Sequence, residues 1–509
     1  MRRRRVLRRR DEGGYVLAFS ALLMVPLLVL SAFAIDLSSF YVRAARLQRA
    51  AEAAALAGVV WMPDLTTATS VALSTARANG AVPSGTLSVT TSSVPGNPHQ
   101  LKVTITDSAV PQYLSDAFQP GVSITRSAVA EYEQPIPMGS PMNYFGTGSL
   151  NNSFPPRENV WAAVSGWCSA KENGDTRLAG YDNAYSGSGY DCSTANGAIA
   201  NPDASSTGYL YAVEMPPSPP ASVAVQVYDA AYYRSGSPSD QGLASNQNVT
   251  TTFQLRDWDG PPQNPYAHDV LSTLTLTTNV SGYQNQWKTV GTINNPCGGC
   301  VYYLQVSTLA GQTSSAATNG YAVRTAANGT HTACSSIVGS TNPAYSANCV
   351  RIYPHREMSI FNNLSGSVAS FYLADISATY AGKVLAVDLF DVGEGATKIE
   401  VLDPNGAVTT FDWSTPCNPP AAATGGCSGT GVTSINPGVN SANQPYPRTA
   451  SRYVFNDRRV TLRVPLPADY ASRYGTATWW RIRYTVGSSA SDRTTWSVGV
   501  EGSPVHLVE

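Results

Sequence analysis

The sequence predicts a mainly β protein carried on one N-terminal transmembrane helix, and three observations predict it. No side chain from Gly13 to Ile35 is charged. Charged residues are only 13% of the chain while Gly (42), Pro (34) and Tyr (27) are plentiful, the profile of extracytoplasmic β-structure rather than of a helical cytosolic enzyme. From Pro135 onward, alternating strands are separated by Gly, Pro and Asn turns at about 8–15 residue spacing, which suggests β-sandwiches. The expected architecture is a transmembrane helix extending into an amphipathic helix, a small α+β unit, and two tandem disulfide-braced antiparallel β-sandwich domains.

At about 1.5 Å per residue, a helix from Gly13 to Ile35 spans roughly 34 Å, enough to cross a hydrocarbon core of about 30 Å. Pro26 lies inside it, which membrane helices tolerate better than soluble ones. Arg2 to Arg5 and Arg8 to Arg10 precede it, so the positive-inside rule makes residues 1–12 a cytoplasmic tail and puts everything after residue 36 outside. Ala32-Phe33-Ala34 has the small-x-small form of a signal-peptidase site. The apolar run is longer than a signal core of about 7–15 residues, however. The helical pattern "SSFYVRAARLQRAAEAAALAG" also continues past that point to Gly58, with Pro63 shortly after. A retained anchor, in the membrane over about 13–36, is the expectation.

Beyond the membrane, Arg43, Arg46, Arg49 and Glu52 share one drifting helix face. Opposite them lie Ala44, Leu47, Ala51, Ala54, Ala55 and Leu56, with Gly58 closing the run. The plain reading is a strong helix former. The sharper one is a packing stripe, Ala44, Leu47, Ala51, Ala54, Ala55 and Gly58, whose small side chains let another membrane component approach closely.

The string "GGYVLAFSALLMVPLLVLSAFAIDLSSFYVRAARLQRAAEAAALAG" resembles the N-terminal segment of TadE/TadG-like proteins of the tight-adherence (Flp) pilus-assembly system. The matching features are the Gly-Gly start, the Pro inside the apolar run, Asp36 closing it, and the "FYVRAARLQ" and "AAEAAALAG" that follow. The resemblance covers residues 11 to 60 and implies a membrane anchor for a protein that helps assemble surface pili. Its implied partners are other pilus-assembly membrane proteins or pilins, met through the N-terminal helix. The chain departs from the processing pattern of type IV prepilins, which place Glu five residues after the cleavage glycine. Ala18 follows Gly13 at that distance and Phe19 follows Gly14, so retention of the whole anchor is expected.

After this segment (residues 13–60), residues 61–135 read as a small unit of α-β-β-α-β order. A helix ends at Gly80, "GTLSVTTSS" and "HQLKVTITD" form a hairpin across "PGNP", "PQYLSDAFQ" is a short helix and "VSITRSAVAEYEQ" a last strand. This order resembles the ectodomain of the same family, and the longer exterior resembles its actinobacterial-type members through "VSGWCSAKENGDTRLAGYD", "VDLFDVGEGATKIEVLDPNG" and "TTWSVGVEGSPVHLV". An internal repeat is also visible: "GYLYAVEMPPSPPASVAVQVYDA" (208–230) aligns with "SFYLADISATYAGKVLAVDLFDV" (370–392). It suggests sandwiches over 136–340 and 341–509.

All eight cysteines, Cys168, Cys192, Cys297, Cys300, Cys334, Cys349, Cys417 and Cys427, fall on the expected outside, and sequential neighbours are the expected disulfide partners. Cys297-Gly-Gly-Cys300 has no second CxxC and sits in a glycine turn entering a strand, which favours a hairpin disulfide over a redox or zinc motif.

Candidate chemistry is sparse. Asp388, Asp391 and Glu394 in "VDLFDVGEG", and Asp229, Asp257 and Asp259 in the first repeat, offer oxygen ligands suited to calcium, without EF-hand spacing. No other metal and no cofactor is suggested. The five histidines are scattered, and neither a G-x-S-x-G elbow nor H-E-x-x-H occurs. Apart from its arginine tail the chain is net acidic, giving no footprint for nucleic acid. Trp479, Trp480, Trp496, Tyr302 and Tyr303 leave open a glycan or surface ligand. The function implied by the TadE/TadG-like resemblance is a non-catalytic, membrane-anchored accessory or minor component of pilus assembly, the alternatives being an adhesin or carbohydrate-binding sandwich protein and an extracytoplasmic hydrolase.

Overall fold

The computed structural model describes residues 13–62, 65–94, 97–112, 121–132, 136–146, 159–182, 199–229, 241–242, 249–261, 264–277, 286–312, 317–334, 349–365, 368–393, 396–416, 428–437, 455, 458–487, 489–501 and 505–508. They form two compact units, one of residues 1–133 with 503–509, the other of residues 134–502.

In the first unit, helix α1 runs without a break from Gly13 to Val59, Pro26 included. Helix α2, Leu65–Ala78, ends where Gly80 takes a left-handed φ of 84°. There the Gly80 amide donates to Arg77 and the Ala81 amide to Ala76, a Schellman closure that satisfies the last carbonyls. Strands β1 (Leu87–Val94), β2 (Asn97–Asp107), β3 (Ile124–Tyr132) and β4 (Val505–Leu507) form an antiparallel sheet in that order. Alternation along β2 sends Leu101, Val103 and Ile105 to one face. They join Ala128 and Ala130 of β3 and the alanines of both helices in one core. The short helix expected over "PQYLSDAFQ" falls mostly outside the described residues. Strand β4 comes from far outside the expected 61–135 boundary.

The second unit is antiparallel β throughout its described sheets. Its long sheet runs, in spatial order, Gln286–Asn294, Ser222–Asp229, Ala317–Ala327, Asn159–Ser165, Glu357–Ser365, Ser489–Val500, Val384–Phe390, Arg459–Pro465, Phe411–Ser414 and Ser428–Val432. A five-stranded sheet (Val270–Thr277, Thr250–Arg256, Val301–Thr308, Tyr209–Glu214, Arg351–Pro354) packs on its first part. There the Tyr211 and Tyr321 hydroxyls meet at 2.9 Å and the Phe253 ring lies edge-on to Tyr321. A three-stranded sheet (Val368–Asp375, Trp479–Val486, Ala396–Leu402) packs on the other part, with Phe371 and Tyr484 against Trp496.

The sandwiches expected over 136–340 and 341–509 therefore share one wall. Strand Asn159–Ser165 hydrogen-bonds Glu357–Ser365 across the expected boundary, and one apolar core spans both halves. The repeat seen in the sequence is a repeat of the fold. In each half its first strand, Tyr209–Glu214 or Val368–Asp375, lies in the smaller sheet; its second, Ser222–Asp229 or Val384–Phe390, lies in the long one. The long sheet reads in reverse order on the two sides of the junction, as two equivalent halves related by a two-fold axis would. The register agrees. The row Asp229–Tyr321–Ala162 reaches the junction from one side. From the other, Ile360 pairs with Thr494, whose hydroxyl bonds the carbonyl of Phe390 beside Asp391, the residue aligned with Asp229. Ala162 and Ile360 hold equivalent places and stand directly opposite each other.

Cys297 bonds Cys300 and Cys334 bonds Cys349, while Cys168 is also disulfide-bonded. Cys192, Cys417 and Cys427 lie outside the described residues.

Two predictions follow from this packing. Ile360 is fully buried at the junction, so Ile360→Ala removes contacts from both halves and costs about 2–5 kcal/mol. Denaturant unfolding followed by probes in each half should show coincident transitions shifted together; a shift in one half alone would show that the halves are independent. The second concerns His355, whose backbone amide bonds Leu210 and whose ring lies edge-on to Tyr303. Burial, then Arg356 and His268, push its imidazole down to about 3. An unfolded chain takes up this proton near pH 6.5 and the folded one does not, so stability falls as pH drops from about 6.5 toward 3, by at most about 5 kcal/mol. His355→Phe should flatten that part of a stability-versus-pH curve.

Candidate functional site

Helix α1 is 47 residues long, about 70 Å, and its two halves live in different surroundings. Over Tyr15 to Ile35 its large apolar side chains are exposed apart from the half-buried Val29, and the helix is long and apolar enough to cross a membrane. The Ser31 hydroxyl donates back to the Leu27 carbonyl at 2.7 Å, so this polar group needs no water inside an apolar layer. Burial begins at Asp36, which is 1% exposed, although Tyr41 and Val42 on the other side of the helix remain bare.

From there the helix is docked. Arg43 donates through Nε and Nη2 to Oδ2 of Asp107, at 2.9 and 2.6 Å, where β2 ends. Gln48 donates to the carbonyl of Ser127 on β3 and to Glu52 one turn on. Ala44, Leu47, Ala51, Ala54 and Ala55 are buried, all but Ala44 in one core with Ala68, Ala72 and Ala76 of α2 and the inner face of the sheet. The closest approach is at Gly58. A Cβ there would stand 2.6 Å from Leu101 Cδ2, 2.8 Å from the Ala68 carbonyl oxygen and 3.0 Å from Ala72 Cβ.

The stripe expected to meet another membrane component is thus covered by the chain's own second helix and sheet. A stripe of small residues shows in sequence only that something comes close, not whether it belongs to the same chain. The tie between Arg43 and Asp107, 64 residues apart, was not expected, because nothing local marks two such charges as partners.

The remaining candidates are dispersed. Asp388 accepts from the Thr461 hydroxyl, Asp391 is buried in a left-handed turn, and Glu394 lies outside the described residues. In the first repeat Asp257 accepts from the Trp258 amide and Asp259 is exposed; nothing is described of the Asp229 side chain. Among the described residues no three His, Cys, Asp or Glu side chains are placed to hold a metal ion. His268 turns its ring nitrogens to the carbonyls of Asp257 and Pro261, at 2.8 and 3.0 Å, not to a nucleophile. Trp479, Trp480, Trp496, Tyr302 and Tyr303, the aromatics that suggested a glycan ligand, are all buried.

Two substitutions test the docked half. Gly58→Ala forces α1 away from Leu101 and Ala68 and should destabilise the first unit by about 1–3 kcal/mol, read as a lowered melting temperature. Arg43→Ala leaves the Asp107 carboxylate, whose side chain is 4% exposed, without its charged partner and should cost about 1–3 kcal/mol. Asp107→Asn should recover part of that loss in the Arg43→Ala background, as a double-mutant cycle would measure.

Residues 14–62 match the family model described as "Putative Flp pilus-assembly TadE/G-like". No curated protein matches the chain. Among solved structures, a crystal structure of tripeptidyl peptidase 2 is similar at 7% identity and a TM-score of 0.16, with 80% of this chain and 29% of that one covered. The N-terminal CBM22-1–CBM22-2 tandem domain of Paenibacillus barcinonensis Xyn10C is similar at 7% identity and a TM-score of 0.13, with 82% and 92% covered. At these TM-scores neither likeness bears on fold or function.

Proposed function

Because its N-terminal segment is a TadE/G-like one, associated with Flp pilus assembly, we propose that this protein is a membrane-anchored, non-catalytic accessory or minor component of that assembly. The arginine tail lies in the cytoplasm and the chain after residue 36 lies outside. The observation that carries the reading is the division of α1. One half is bare and apolar, the other is built into a folded unit, and no break separates them. Whatever grips the bare half in the membrane therefore holds the outer unit as well.

The surface offered to other pilus-assembly membrane proteins or pilins is the bare half, Tyr15 to Ile35, extended by Tyr41 and Val42 on its open side, since the face from Ala44 to Gly58 is occupied. The burial of the aromatics gives no support to a glycan-binding role.

The test is location. With a tag placed after Glu509, surface appendages are sheared from the native host and the sheared fraction is blotted against washed membranes. The expected result is retention in the membrane at the unprocessed mass. Recovery with the sheared pili would overturn the anchored reading. Leu28→Arg, which places a charge near the middle of the apolar run at a cost of about 2.5–3.5 kcal/mol, should lower the membrane-retained fraction.

A further inference from the structure

We infer that residues 134–502 are an insertion into a β-hairpin of the anchor unit, and that anchoring and the assembly role belong to residues 13–132 with 505–508. The second half of this inference rests on the function proposed above; the first does not.

The sheet carries the argument. Strands β3 and β4 are antiparallel neighbours, with Ala130 opposite Leu507, Glu131 opposite His506 and Tyr132 opposite Val505. The Val508 amide extends the ladder by donating to the Val129 carbonyl at 2.8 Å. Tyr132 and Val505 are thus the last paired residues before the chain leaves β3 and the first after it returns. Directly opposed residues of antiparallel strands have Cα atoms about 4.5–5.5 Å apart, the separation that a two-residue hairpin turn closes. A turn of Asn-Gly joining Tyr132 to Val505 would replace everything between them without moving either strand.

The core agrees with the sheet. The cluster that holds α1, α2 and the strands together is built, among the described residues, from Leu47 to Tyr132, with Val505 packed against it. The covalent path from the membrane to the inserted unit runs through α1 and β3. Strand β4 is off that path and is held to β3 by backbone bonds and the packing of Val505. Its loss would open the edge of β3 and weaken the anchor unit while leaving the insertion attached.

Two full-context variants test this in the native host. In one, Asn-Gly joins Tyr132 directly to Val505; in the other the chain stops at Gly502. The expected result for the first is a shortened protein that stays in the membrane, resists limited proteolysis and restores pili in a strain lacking the chain to within about two-fold of the full-length level. For the second, proteolysis should cut within 61–132 at least several-fold faster than in the full chain, while residues 134–502 keep their resistance. Degradation of the shortened protein, or unchanged proteolysis of the chain stopped at Gly502, would overturn the insertion. A shortened protein that folds but restores no pili, in a strain where the full chain does, would move the assembly role into 134–502. If deleting the whole chain leaves pili unchanged, the assembly reading fails by itself, and the proteolysis still decides the insertion.

Discussion

Everything that links the apolar segment to the first folded unit depends on the contact between one face of α1 and the layer beneath it. Alanine and glycine on that face bring the helix axis so near to α2 and to Leu101 that a single added methyl at Gly58 meets backbone and side chain at once. Close approach of this kind gains dispersion contacts while losing almost no side-chain entropy, because alanine has no rotamers to freeze. The result is a joint with little slack. The helix enters the unit as a stiff rod, and Arg43 with Asp107 fixes its position where it emerges.

The inserted unit answers a different constraint. A β-sandwich leaves unpaired edges, and an exposed edge invites association with other chains. The two halves here remove one edge from each other, since Asn159–Ser165 and Glu357–Ser365 are edge strands of their own halves that pair across a pseudo-two-fold axis. The same backbone bonds that would join two chains in a symmetric dimer act within one chain. The buried aromatics follow from this arrangement. Trp480, Trp496 and Tyr484 have two facing sheets to fill, and large side chains on opposed inner faces are what fills that space.

Much of this was legible in the residues. The uncharged run from Gly13 to Ile35, the continuous helix to Gly58, the alternation of Leu101, Val103 and Ile105, and the repeated strands at 208–230 and 370–392 are local or periodic signals, and each became the element it suggested. Chemistry was less legible. Asp388 and Asp391 read as possible ligands because clustered carboxylates look alike in sequence whether they face a cation or, as Asp388 does within its strand, accept a neighbouring hydroxyl. The tryptophans and tyrosines read as possible platforms because strand alternation gives two faces without saying which is covered.

The sequence by itself determined the long apolar helix, its unbroken continuation to Val59, the β character of the chain after it and its internal repeat, since these depend on hydropathy and periodicity along the chain. Only the tertiary structure decided what the alanine stripe packs against, that the two repeats share one sheet, and that Val505–Leu507 completes the sheet begun by β1 to β3. Those are pairings between segments far apart in sequence. Their strands carry the same alternation whichever edge they join, so the choice is made by which faces and edges remain open once the local elements have formed.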